Sequence, residues 1–173
     1  TKYLSTTAVY CNDRSNPAGG YNTGSTTFYY GGYTRLITNK TPTYDCTDTN
    51  DKFTVDTSTG NGKLTYPIAL MTADEVSFAG GLWATNAPTW YYYNSANGSS
   101  TGSTDWWWLL SPSIWSGRYA NVFGVGGSSR PGYLVYFNVN STGGVGVVRP
   151  AVSLKSCVKT SGGDGSASAP YTI

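Results

Sequence analysis

"DWWWLLSPSIWSGRYANVF", residues 105–123, gathers four of the chain's six tryptophans into nineteen residues, beside arginine, tyrosine and asparagine. Three successive tryptophans on a β-strand cannot share one face, because side chains change sides at every step. With Trp107 turned inward beside Leu109, Trp106 and Trp108 take the opposite face. Trp107 is therefore expected in the core, and Trp115 in the irregular segment that follows, beside Arg118 and Tyr119. The stretch reads as the point where a sheet's packing layer becomes a display layer.

Downstream, "YLVYFNVN" (133–140) alternates as well. Tyr133, Val135, Phe137 and Val139 form the more uniformly apolar set and read as core, so Tyr136, Asn138 and Asn140 are expected to look outward. Tyrosine, tryptophan, arginine and asparagine supply rigid contact area and adaptable hydrogen bonds in binding surfaces. The candidate ligand-binding set is Trp106, Trp108, Trp115, Arg118, Tyr119, Asn121, Arg130, Tyr133, Tyr136 and Asn138.

Other elements are short. "TADEVSFAGG" (72–81) carries a helix signature: Thr72 caps, Glu75 completes a capping box, and Gly80 stops the turn. "YTRLIT" (33–38) could be strand or helix and leans towards strand. Further β-prone runs are 2–10, 53–55, 64–71, 106–110, 119–125, 132–138 and 145–154, with a last strand in "YTI". Between them lie polar, glycine-rich loops such as 12–27, 56–63 and 94–104. At 173 residues a single domain is expected, with residues 1–62 as a loop-rich frame and 63–173 as core and display region.

Composition removes whole classes of function. Net charge is +2 and the eleven Lys and Arg are scattered singly, whereas nucleic-acid binding requires clustered cations. Histidine is absent, which takes away the commonest general base and transition-metal ligand. Neither "GVGGSS" nor "GGVGVV" forms a phosphate loop, and no G-x-S-x-G occurs. Asp74 and Glu75, adjacent on the candidate helix, point about 100° apart and suit its first turn better than acid–base chemistry. No run approaches the ~20 apolar residues of a membrane helix, and "TKYLSTTAVY" carries neither the charged nor the apolar region of a signal peptide. Asp45, Asp48, Asp51 and Asp56 could hold calcium or serve as solvated turn residues; their spacing misses the EF-hand pattern. Three cysteines allow at most one internal disulfide. Cys11–Cys46 closes the shorter loop, and three reduced thiols are the equal alternative.

The blocks "KLTYPIALMTADEVSFAGG" (63–81), "WWLLSPS" (107–113), "GVVRPAVSLKS" (146–156) and "SGGDGSASAPYTI" (161–173) resemble a widespread group of bacterial surface domains. That group is related to the C-type lectin fold as used by the variable proteins of diversity-generating retroelements. The resemblance covers residues 63–173; before them only "NDRS" and "YTRLITNK" match. It implies an α+β, C-type lectin-like domain with short antiparallel sheets, one or two short helices and many loops. It also implies a display interval from Trp108 to Arg149, with Arg149 structural, reaching carbonyls or a carboxylate above Val147, Val152 and Leu154. The E-P-N, Q-P-D and W-N-D motifs of calcium-dependent sugar binding are missing, as is the reactive cysteine pair of the related sulfatase-activating oxidases.

The expectation is thus a non-catalytic, extracellular or cell-surface domain, adhesin-like or pilus-borne, without metal or cofactor. Its partner would be a protein or glycan ligand on another cell or surface, with neither nucleic-acid binding nor membrane insertion. The alternatives are a structural subunit of a surface filament, self-associating through its aromatic patches, and an enzyme related to the sulfatase-activating oxidases.

Overall fold

The computed structural model describes residues 2–15, 26–87, 106–126, 130–140, 146–164 and 168–173. Among them no helix is long and apolar enough to cross a membrane. The strands are β1 (Tyr10–Cys11), β2 (Thr27–Tyr29), β3 (Lys52–Phe53), β4 (Ala69–Leu70), β5 (Leu82–Trp83), β6 (Trp107–Ser116), β7 (Ala120–Val125), β8 (Tyr133–Asn138) and β9 (Pro150–Ala151). The helices are α1 (Gly31–Tyr33), which runs on as a π-helical stretch over Thr34–Asn39, and α2 (Ala73–Phe78); a 3-10 turn spans Thr49–Asp51. The architecture is α+β with mainly antiparallel pairing.

A five-stranded sheet of order β2-β6-β7-β8-β5 dominates, with only β5 parallel to its neighbour. β1 pairs with β3, and β4 with β9. β6 is the longest strand. One of its edges lies on β7; the other is met piecewise by Val147, Met71 and β2. Pro112 sits within β6 without an amide to donate, and the register with β7 shifts on both sides of it, as prolines in sheets require. The shift skips one beat of the alternation, so Ser113 and Ile114 are both buried. Trp115 consequently belongs to the strand, opposite Ala120 and Phe28, and not to an irregular segment.

The helices cover one face of this sheet. The core there joins Leu36, Ala73, Val76, Trp107, Leu109, Phe123, Val125 and Leu134. α2 forms as its sequence dictates: the Thr72 hydroxyl accepts from the Glu75 amide at 3.1 Å, and Glu75 accepts in return from the Thr72 amide at 2.7 Å. Gly80 ends the helix at φ 95°, where a side chain would be strained. The run 33–38, whose sequence leans towards strand with helix as the alternative, is helical. Leu36 is buried in the core and Arg35 is fixed by two ion pairs, which outweigh local propensity.

Trp107 is 2% exposed, on the covered face as expected. The faces of β8 are the reverse of those read from sequence. Leu134 is 1% exposed and lies opposite Val125, and Tyr136 lies opposite Phe123, so Leu134, Tyr136 and Asn138 are on the helix-covered side. Tyr133, Val135 and Phe137 are on the other side. Alternation defines two faces, but which one is covered depends on where α2 and the 31–39 helix dock. Among the described residues Arg149 pairs with no carboxylate: its guanidinium lies 4.1 Å above the Trp107 ring. Val147 packs against the core, whereas Val152 and Leu154 are 47% and 49% exposed and do not pack beneath Arg149. Burial pushes the Arg149 pKa down.

Cys11 and Cys46 are joined by a disulfide, and Cys157 is free and exposed. The run 2–10 yields only Tyr10–Cys11 as strand, plus a bridge from Leu4 to Leu154, and "YTI" reduces to one bridge between Thr172 and Gly162.

Candidate functional site

Aromatic side chains collect on both faces of the five-stranded sheet. On the helix-bearing face they form a row drawn from four elements. Tyr29 of β2 meets Tyr33 of α1 at 4.4 Å between ring centres, Tyr33 meets Tyr136 of β8 at 6.0 Å, and Tyr136 stacks on Trp83 of β5 at 5.5 Å and 17°. Trp83 in turn meets the buried Phe123 edge-on. The row therefore rises from the core at one end and reaches solvent at the other, where Tyr29 is 45% exposed. Burial pushes the Tyr33 phenol up, and Tyr136 and Tyr29 add to it, so Tyr33 stays a neutral hydroxyl able to donate.

Two of the expected residues flank this row with structural duties. Asn121 is 7% exposed and its amide donates to the carbonyls of Ile114 and Tyr119, which ties β6 to the turn before β7. Asn138 lies opposite Asn121 and accepts from the Asn140 amide through its own side chain, closing the end of β8. Asn121 is thus buried rather than displayed.

The opposite face carries a second cluster. Trp106 stacks on Phe137 at 3.8 Å, and Trp108 meets both edge-on. Gly124 lies across from Trp108, and a Cβ there would come within 2.9 Å of the Phe137 ring. At its margin Arg130 covers Tyr133 at 5.2 Å. Arg118 covers Tyr119 at 5.1 Å in the turn after β6, whose Ser116 hydroxyl accepts from the Tyr119 amide. The ten expected residues are thus divided between the two faces and the connecting turns and do not form one patch. Tyr29, Tyr33 and Trp83 escaped notice, although "FYYGGY" (28–33) and "GLWA" (81–84) place aromatics beside glycines.

Among the described residues, ionisable groups converge on Arg35, which holds two carboxylates. Arg35 grips Asp74 through two hydrogen bonds of 2.8 and 2.7 Å and reaches Asp13 at 2.6 Å, while the Thr43 amide donates to Asp74. Arg35 is held protonated far above its ordinary value, chiefly by Asp74. Burial raises Asp13, but hydrogen bonds from Ser15 and Arg35 outweigh it and hold the carboxyl below its ordinary range. Of the acidic run, Asp51 pairs with Arg14 at 2.5 Å and Asp48 caps the 3-10 turn. Asp56 accepts from the hydroxyls and amides of Ser58 and Thr59, which pulls its pKa well down. Among the described residues, no three His, Cys, Asp or Glu side chains converge as metal ligands.

The chain matches no protein-family model, no curated protein and no solved structure.

Proposed function

We propose that this is a non-catalytic ligand-binding domain of an extracellular or cell-surface protein, adhesin-like or pilus-borne, and that the row Tyr29–Tyr33–Tyr136–Trp83 is its contact surface for a protein or glycan. The observation that carries this reading is that three separate stretches of the chain, around Tyr29 and Tyr33, at Trp83 and at Tyr136, converge to build one partly exposed aromatic row. Such a surface combines large apolar area with phenol hydroxyls, the make-up of binding hot spots. The disulfide supports an oxidising compartment. The engagement of Asp74 and Asp13 by the single Arg35 guanidinium supports a structural use of these charges rather than catalysis. In the finer fold reading, a C-type lectin-like frame, "WWLLSPS" supplies the long strand β6 and "GVVRPAVSLKS" runs beside its start through the Trp107–Val147 bridge.

The test is binding of the domain to glycan arrays and to whole cells. Replacing Tyr29 and Tyr136 together by alanine is expected to weaken binding at least about tenfold, since aromatic anchors dominate such contacts. Unchanged binding by a folded double variant would remove the row from the site. A filament subunit is favoured by a different observation: Tyr66, Ile68, Val148, Val152 and Leu154 are all exposed near the β4–β9 pair. Sedimentation as a monomer at high protein concentration would argue against it.

A further inference from the structure

Behind Trp83 lies a recess of about 330 Å3 whose walls include Leu36, Leu82, Trp83 and Leu134. Among the described residues, Lys40 is the one charged group lining it, and Ser77 and Thr85 supply hydroxyls. Apolar walls with a few fixed polar groups, in a volume of about 300–1,000 Å3, are the usual make-up of a small-molecule site. Leu36 and Leu134 belong to the core and are 5% and 1% exposed, so the recess is floored by side chains that the fold already holds rigid.

Two backbone positions shape its mouth. Among the described residues, Lys40 (φ 57°) and Ala84 (φ 50°) are the non-glycine residues with positive φ. Lys40 closes the helix that carries Leu36, its amide donating to the Arg35 carbonyl, and this places its side chain on the rim. Ala84 turns the chain back so that Thr85 bridges to Leu82, forming the outer wall. An alanine held where a glycine would sit freely is a cost that clusters at ligand clamps. No carboxylate among the described residues pairs with the Lys40 ammonium.

We propose that this recess binds a small amphipathic carboxylate: an unbranched aliphatic acid of medium length, its chain among Leu36, Leu82, Trp83 and Leu134 and its carboxylate against the Lys40 Nζ. The lining decides the class, since an apolar interior with one cation at its rim complements an apolar body with one anionic end. The proposal shares only Trp83 with the aromatic row. Loss of partner binding in the Tyr29/Tyr136 variant leaves it untouched, and its own failure leaves the row untouched.

Octanoate titrated into isotope-labelled protein, with 1-octanol as the uncharged control, tests it through backbone amide shifts. Both probes are expected to move the amides of Ser77, Leu82 and Thr85, with octanoate the tighter. Lys40→Asn keeps a residue that accepts the left-handed cap, and it is expected to weaken octanoate by about three- to fivefold while leaving octanol unchanged. Ser77→Phe fills the recess and is expected to abolish both. Absence of shifts in this region, equal octanoate affinity in Lys40→Asn, or binding that survives Ser77→Phe would each overturn the proposal. Should Ser77→Phe fail to fold, Thr85→Trp at the exposed rim carries the same test.

Discussion

The two faces of the five-stranded sheet use aromatic residues in different ways. On one, Trp106, Trp108 and Phe137 come from two strands and the residue just before one of them, and they pack chiefly on each other. On the other, Tyr29, Tyr33, Tyr136 and Trp83 come from four elements and lean on a core that includes Phe123. A dense run of tryptophans marks the first face, whereas the second is marked only by separate short stretches, "FYYGGY" and "GLWA". Local density of a residue type reports which strand is rich in it; a row assembled by tertiary contacts is invisible until the topology is known.

The sharpest way to break this contrast is to truncate one ring on each face. Phe123→Ala, fully buried under the helices, is expected to cost about 3–5 kcal/mol, and Phe137→Ala, half-buried on the open face, about 1–2 kcal/mol. Urea unfolding of the two variants measures the difference; equal losses would mean that the second face is as closed as the first.

Next in size is the clamp that holds the helical layer on its face. Asp74→Asn leaves Arg35 half-buried with its main partner neutralised, and a loss of about 3 kcal/mol is expected. The same network makes stability depend on acid. The Asp13 carboxyl titrates lower in the folded chain than in the unfolded one, so its contribution is complete above the ordinary carboxylate range and disappears as pH falls through and below it. Unfolding free energies measured between pH 7 and pH 2 should fall in wild type, and less steeply in Asp13→Asn.

The smallest effect is expected at the seam between the faces. A Cβ on Gly124 would press within 2.9 Å of the Phe137 ring and 3.0 Å of the Trp107 carbonyl oxygen. Gly124→Ala should cost about 1 kcal/mol, the low end of overpacking, and change tryptophan emission through Trp106 and Trp108, with little effect on contacts made by Tyr29. Emission identical to wild type would show that the ring cluster is looser than its spacing suggests.

Much of the frame was legible in the residues themselves. The capping box at Thr72 and Glu75 and the stop at Gly80 were readable because they are local chemistry. β7 and β8 were found within a residue of their ends, since their alternation is bounded by turn residues. Alternation set Trp107 and Leu109 against Trp106 and Trp108, and the choice of the first pair as inward agrees with their burial. The side of the sheet to which Tyr136 belongs did not follow from alternation, because "YLVYFNVN" is apolar on both faces and a helix distant in sequence decides between them. The helix over 34–39 was illegible for a related reason: its stabilising partners, Asp74 and Asp13, lie 39 and 22 residues away from Arg35.

Pro112 divides β6 into two lengths that keep their own counts against β7. Residues 107–111 are keyed to Val125 and Gly124, and residues 114–116 to β2 and Ala120. A residue gained or lost near Gly117 can be absorbed at the proline without turning Trp107 outward. A one-residue insertion in the turn that carries Arg118 and Tyr119 is thereby expected to leave the buried tryptophan at its station.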